Sequence, residues 1–234
     1  LLLVFIKCST WDNVEEYVPP PELSVEETTT VEYPPLPLIK INTYSKEIVD
    51  EPKIKGFLEI FQGDEKIEEH NIGIEIRGSS SQFFDKKSYG FETWDEAGED
   101  LNVSFAGYPE EEDWILYGPY SDKSLIRNVL IYNLSNQIDR YATKTKFYNL
   151  DINNQFLGVY VLMEKIKRDK NRVDISKNKA EDISGGYIIK IDKPTGDGDS
   201  FNSDIAFMSE YTSGGVKGLN KNPVFLYEYP KNDD

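Results

Sequence analysis

Cysteine and histidine are nearly absent, with Cys8 and His70 the only examples. A lone cysteine excludes an internal disulfide, a disulfide-built scaffold and a cysteine-rich zinc site. A lone histidine removes most triad and metal chemistry. His70 lies in the polar run 64–71 and is expected on an exposed loop. Basic charge is also scarce: 26 Lys and Arg stand against 42 Asp and Glu, a net charge of −16. That excludes a nucleic-acid surface, which needs a basic patch. No apolar run is long enough for a spanning helix, and no segment repeats. The acidic run from Asp197 to Ser200 lacks the ligand ladder and closing glutamate of a calcium loop, so it reads as a surface loop.

What is present supports a folded domain. Hydrophobic residues make up 38% and aromatics 13%, enough for a sizeable core and too much for a disordered chain. The first six residues are apolar and stop just short of Cys8, an arrangement like the end of a bacterial lipoprotein signal. Cys8 would then carry the lipid, although Lys7 stands where such signals place a small residue. Residues 9–36 follow as an acidic, proline-rich linker, where repelling glutamates and prolines favour an extended tether. The domain is expected from residue 37 to 234.

That domain is organised around residues 72–92. Ile72, Ile74 and Ile76 alternate with Gly73, Glu75 and Arg77, the period of a strand with one buried face. A small polar turn follows, Arg77-Gly78-Ser79-Ser80-Ser81, and then an extended run carrying Lys86 and Lys87. Backbone N–H groups, serine hydroxyls and a lysine can together hold a phosphorylated ligand. An ordinary hairpin with a solvated loop fits the same residues. Alternation puts Lys86 and Lys87 on opposite faces, so only one can point inward.

Further strands are expected over 38–43, 56–61, 87–94, 145–153, 158–165 and 185–192, with an apolar segment at 114–117. A hairpin turn falls at Asn153-Asn154-Gln155. One long helix is expected over 124–140, with Ser121 or Asp122 near its N-cap. Leu125, Val129, Tyr132 and Ile138 form its stripe, widened by Ile126, Leu130 and Leu134. Residues 167–172 read as a solvated turn, and Met163 as a core residue. The fold class is α+β, mainly antiparallel sheet with one long helix.

Four segments, RGSSSQFFDKKSYGFE, DWILYGPYSDKSLIRN, FLGVYVLMEKIKRDKNRVDIS and GGYIIKID, resemble in order and spacing the CotH family of spore-coat-type atypical protein kinases. The resemblance implies a divergent protein-kinase-like N-terminal lobe using ATP and Mg²⁺ or Mn²⁺. It makes Arg77, Gly78, Ser79, Ser80 and Ser81 the phosphate loop, and Lys86 or Lys87 the lysine on the phosphates. Met163 and Glu164 would border adenine, while Arg127, Asn128 and Arg172 are further family positions. The helix offers no glutamate to a nucleotide lysine, a departure from ordinary kinases. The family's catalytic and metal-binding aspartates lie beyond Asp234, so no catalytic or metal residue is assigned in this chain. The implied partner is a protein hydroxyl substrate, and the implied location an extracytoplasmic bacterial surface, with membrane contact only through the lipid. The alternative is a non-catalytic surface, adhesion or carbohydrate-binding lipoprotein module drawing on Trp94, Trp114 and the tyrosines.

Overall fold

The computed structural model describes residues 35–178, 184–191, 206–208 and 224–230. Cys8, residues 9–34 of the acidic linker and the 197–200 run lie outside them. Seven strands make the main body: β1 Leu38–Asn42, β2 Ile54–Gln62, β3 Glu65–Arg77, β4 Ser88–Trp94, β5 Asp113–Tyr117, β6 Thr145–Ile152 and β7 Gln155–Glu164. They close into a barrel in the order β1-β2-β3-β4-β5-β7-β6. Every pairing is antiparallel except β1 with β6, which is parallel and completes the ring. A small second sheet contains β8 Ile188–Ile191, β9 Ala206–Met208 and β10 Val224–Tyr229, in the order β8-β10-β9.

Alternation fills the barrel. Ile72, Ile74, Phe91, Trp114, Leu116, Tyr160 and Leu162 turn inward with Ile39, Leu58, Ile60 and Leu150. The expected β6–β7 turn is present, with Asn153 and Asn154 both at positive φ, 54° and 65°. Asparagine tolerates that region, and two such residues match the twist of a tight hairpin. Asn153 also accepts from Thr43 N and donates to Thr43 Oγ1, tying the turn to the end of β1.

Residues 64–71 are not a loop. Most of them form the first half of β3, paired along β2. The ladder supplies the backbone bonds, and a strand with a solvated face tolerates polar side chains. His70 is therefore half-buried on a strand; its Nε2 lies 2.8 Å from Glu68 Oε1, and its ring meets Phe105 edge-on at 5.4 Å.

The helix, α1, is shorter than expected, Arg127–Gln137. Leu125 sits at φ 63°, which no helix accommodates, and this residue separates Ser124 from the helical run. Asp122 organises the entry: its carboxylate accepts from Ser124 N, Ser124 Oγ and Arg127 N. The expected apolar stripe divides. Val129 and Tyr132 pack onto the outer barrel face with Ile115, Val161 and Met163. Ile126, Leu130, Ile131, Leu134 and Ile138 point away and are 47–71% exposed.

At Gly73 the indole of Trp94 lies directly against the backbone of β3. A Cβ there would lie 1.9 Å from Trp94 Cζ2. Gly73→Ala is expected to displace the indole and lower stability by about 1–3 kcal/mol, the range for overpacking. Urea unfolding checks this, and an unchanged midpoint would refute it.

Candidate functional site

The largest convergence of the sequence-predicted residues is on the outer face of the barrel. Glu75 pairs with Gly90, Gly90 with Ile115, and Ile115 with Met163, giving one cross-strand row. Gly90 leaves room in that row. A Cβ there would stand 3.2 Å from Glu75 Oε1 and 3.8 Å from Arg77 Cδ, so both side chains lie across the glycine. Beyond it opens a cavity of about 290 Å³, lined by Arg77, Ile115, Tyr132, Met163 and Glu164. Ile188, Lys190 and Glu228 of the small sheet also line it, the last two joined by a 2.7 Å ion pair.

This cavity brings together Arg77, Met163 and Glu164. Arg77 is exposed, and its side chain makes no ion pair or hydrogen bond among the described residues. Met163 is buried against Ile115 and Val129, as a core residue that also reaches the cavity. Glu164 is fully buried; its carboxylate accepts from Lys144 N at 3.0 Å and faces Arg172 at 3.5 Å. Just past Glu164 the chain leaves the sheet, so the backbone of residues 165–167 lies outside the ladder.

The loop and the lysines stand elsewhere. Gly78, Ser79 and Ser80 are exposed, Ser81 is half-buried, and residues 80–83 make one 3₁₀ turn. Gly78 at φ 118° is confined to glycine, and a Cβ there would meet Ser81 Oγ at 2.0 Å. Lys86 and Lys87 do diverge. Lys86 Nζ donates to Leu157 O at 2.9 Å and sits 4.3 Å from the centre of the Tyr160 ring, and burial lowers its pKa. Lys87 Nζ donates to Gln82 O. Neither lysine is paired with a carboxylate among the described residues. Arg127 is 76% exposed in its side chain and lies 3.5 Å from Asp122, and Asn128 follows it on the helix. Neither lines the cavity.

Residues 74–223 match the model of the CotH kinase protein family. The chain belongs to the CotH kinase family. No curated protein matches it significantly.

In this member of the family, a dense cluster of charges lies beside the cavity, where sequence reasoning placed a solvated turn. Glu111, Glu112 and Asp113 bring their carboxylates within 4.8 Å of one another. Lys167 Nζ stands among them, at 3.0, 2.7 and 2.9 Å. Lys165 adds a 2.7 Å pair to Asp113. Arg172, 5% exposed, lies over Trp114 at 4.5 Å and faces Glu111 at 3.7 Å. Burial raises the pKa of Glu111, whereas Asp113, which burial alone would also raise, is held low by Lys165 and Lys167. A lysine ammonium thus takes the place a cation would occupy. The trio does not fit a divalent metal.

Cavity residues missed from the sequence include Ile115, Tyr132, Lys165 and Glu228. Ile115 and Lys165 carried a usable signal, since strand alternation puts Ile115 with Met163 on the outer face. The clasp had one too: Glu110-Glu111-Glu112-Asp113 and Lys165-Ile166-Lys167-Arg168 are short runs of opposite sign.

Proposed function

We propose that this CotH kinase binds ATP in the cavity between Arg77 and Met163 and serves a surface protein kinase that phosphorylates protein hydroxyls. The observation that carries this is Arg77, an unpaired guanidinium at one end of a cleft walled by Ile115, Met163 and Ile188. Guanidinium suits phosphate oxygens, and an apolar wall suits a planar base. The unladdered backbone after Glu164 offers hydrogen-bonding groups to the base edge. Lys86 and Lys87 stand outside the cavity, and the family resemblance alone assigns one of them to the phosphates.

Mg²⁺ or Mn²⁺ neutralises charge on a transferring phosphoryl group. The one cluster of three carboxylates among the described residues does not fit it, because that cluster already encloses Lys167. Nucleotide binding is therefore the part of the activity these residues carry.

The test is calorimetric titration of the full chain with ATP in MgCl₂. Arg77→Ala is expected to weaken binding about 10–100-fold, the loss of charge-assisted hydrogen bonds. Of Lys86→Ala and Lys87→Ala, only one should weaken it. Unchanged affinity in Arg77→Ala, or no binding by the parent, would reject the site.

The lipid anchor at Cys8 and an extracytoplasmic location belong to the same proposal, supported by the apolar run and acidic spacer around the only cysteine. Metabolic labelling with a fatty acid should mark the protein in its natural host and leave Cys8→Ser unmarked. Equal labelling of both, or of neither, would remove the anchor.

A further inference from the structure

A second cavity, of about 220 Å³, adjoins the first and shares Lys165 and Glu228 with it. Asp113, Lys167, Arg168 and Tyr229 also line it. Most of its charges already have partners. Asp113 holds Lys165 at 2.7 Å and Lys167 at 2.9 Å, and Glu228 holds Lys190 at 2.7 Å. Behind Lys167, Glu111 and Glu112 add negative charge, and Arg172 faces Glu111 from the other side. Arg168 is the exception. Its side chain makes no hydrogen bond or ion pair among the described residues. Asp169, next in the chain, turns its carboxylate to Asn171 N instead.

Arg168 is nevertheless held in place. Its Cζ lies 5.2 Å from the centre of the Tyr229 ring. Tyr229 is 4% exposed, and its hydroxyl accepts from Asn178 N at 2.7 Å, so the ring is a fixed platform. Arg168 also bridges to Val173 across a turn that Arg172 N closes onto Asp169 O at 3.1 Å. The guanidinium is thus partly withdrawn from water, with Nε shielded and without an acceptor. Shielding a charge that has no partner is unfavourable, and a long basic side chain ordinarily avoids it by extending its head into solvent. The ring contact offsets part of that cost but accepts none of the N–H groups.

We propose that this cavity binds a carboxylate group through paired hydrogen bonds from Arg168. A planar guanidinium and a planar carboxylate match in a two-bond fork. Arg168 is the one lining cation not already set against a carboxylate, and a single carboxylate balances it. A doubly charged phosphate would bring further negative charge toward Asp113 and Glu228. Two sources carry such a group: a free carboxylic acid, and an acidic residue of a bound polypeptide. The site does not depend on the nucleotide reading, because neither Arg77 nor Met163 lines it.

The experiment follows the arginine Nε–H signals of the full chain by NMR in weakly acidic buffer, where N–H exchange is slowed. The chain has five arginines, and Arg168→Lys identifies the Arg168 signal by its loss. The probes are sodium acetate, inorganic phosphate, and the blocked peptides acetyl-Gly-Glu-Gly-amide and acetyl-Gly-Gln-Gly-amide, at constant ionic strength. Acetate and the Glu peptide should shift the Arg168 signal to saturation, and the Gln peptide should not. A Glu peptide that binds tenfold tighter than acetate, or more, would assign the site to an acidic residue of a polypeptide, and equal affinities would assign it to a free acid. In Arg168→Lys the backbone amide of Tyr229 reads the same titration, and binding should weaken about tenfold, because a lysine keeps the charge but makes no fork. An Arg168 signal that ignores both carboxylates would overturn the proposal. So would equal binding by the parent and Arg168→Lys, an equal response to the Gln peptide, or tighter binding of phosphate at Arg168 than of either carboxylate. A signal that responds only in Asp233→Asn with Asp234→Asn would give the site to the chain's own acidic tail and also overturn it.

Discussion

Arg172→Met is expected to lower the stability of the fold by about 3–5 kcal/mol, the cost of leaving a buried charge without its partner. Arg172 faces Glu164 at 3.5 Å and Glu111 at 3.7 Å, and all three side chains are almost completely shielded from solvent. Those separations make ion pairs rather than short hydrogen bonds, so most of the attraction is electrostatic. Methionine restores much of the packing over Trp114 but none of the charge. Two carboxylates would then share a buried site, with Lys144 at 3.9 Å the nearest remaining cation to Glu164. Urea unfolding followed by tryptophan fluorescence reads the effect, with Trp114 as a local reporter. Adding Glu164→Gln to Arg172→Met should recover part of the loss, because the unpaired charge is then gone. A single-variant loss within about 0.5 kcal/mol, the range of ordinary surface substitutions, would show that the cluster is not a stabilising unit.

Lys167→Met should be comparably severe at neutral pH and should reverse the response to acid. In the parent, Asp113 and Glu112 are held below their ordinary values: burial opposes ionisation, but Lys165 and Lys167 outweigh it at Asp113, and a proton shared with Glu111 together with the hydrogen bond from Lys167 outweighs it at Glu112. Groups depressed in the folded state stabilise above their unfolded values and lose that contribution as pH falls below about 4. Glu111 works the other way. Burial raises it, so it opposes folding at neutral pH and is relieved as pH falls through its raised value. Without the ammonium, three carboxylates within 4.8 Å repel one another in a half-buried site, and protonation becomes favourable to folding. The parent should therefore lose stability on acidification below about 4, while the variant gains stability between about pH 7 and 5. Melting temperatures across that range decide it. Parallel pH profiles for the two proteins would mean that Lys167 does not govern the trio.

Local pattern made much of this chain legible. The isoleucines of β3 and the aromatics of β4 declared their buried face, and the paired asparagines declared the β6–β7 turn. Three features resisted for separate reasons. Barrel closure rests on β1 pairing in parallel with β6, whose partners Leu38 and Asn149 are far apart in sequence and share no local signal. The polar half of β3 has no apolar alternation to announce it, and only its neighbour β2 makes it a strand. The helix was overextended because its apolar spacing continues through Leu125, where the backbone is left-handed. At the site, the row leading from Glu75 across Gly90 and Ile115 to Met163 depends on register. Hydrophobicity along a single strand does not specify register. The charged clasp was hidden for another reason: a run such as Lys167 to Arg172 reads as solvated until its acidic counterpart is placed beside it.

Ring closure of the seven strands also sets where this molecule can be joined by another backbone. In a closed barrel each strand has a neighbour on both sides, yet residues 65–70 of β3 pair only with β2 and residues 155–160 of β7 pair only with β6, which leaves two short borders in the ring. Whole open edges among the described strands belong to β8 and β9, which flank β10 in the small sheet. Strand addition by a peptide, and any edge-to-edge aggregation of partly unfolded chains, would begin there. Amide exchange should follow the same division, slow in the ring and fast along β8 and β9, because a donor bonded within a closed ladder is freed only when the ring opens.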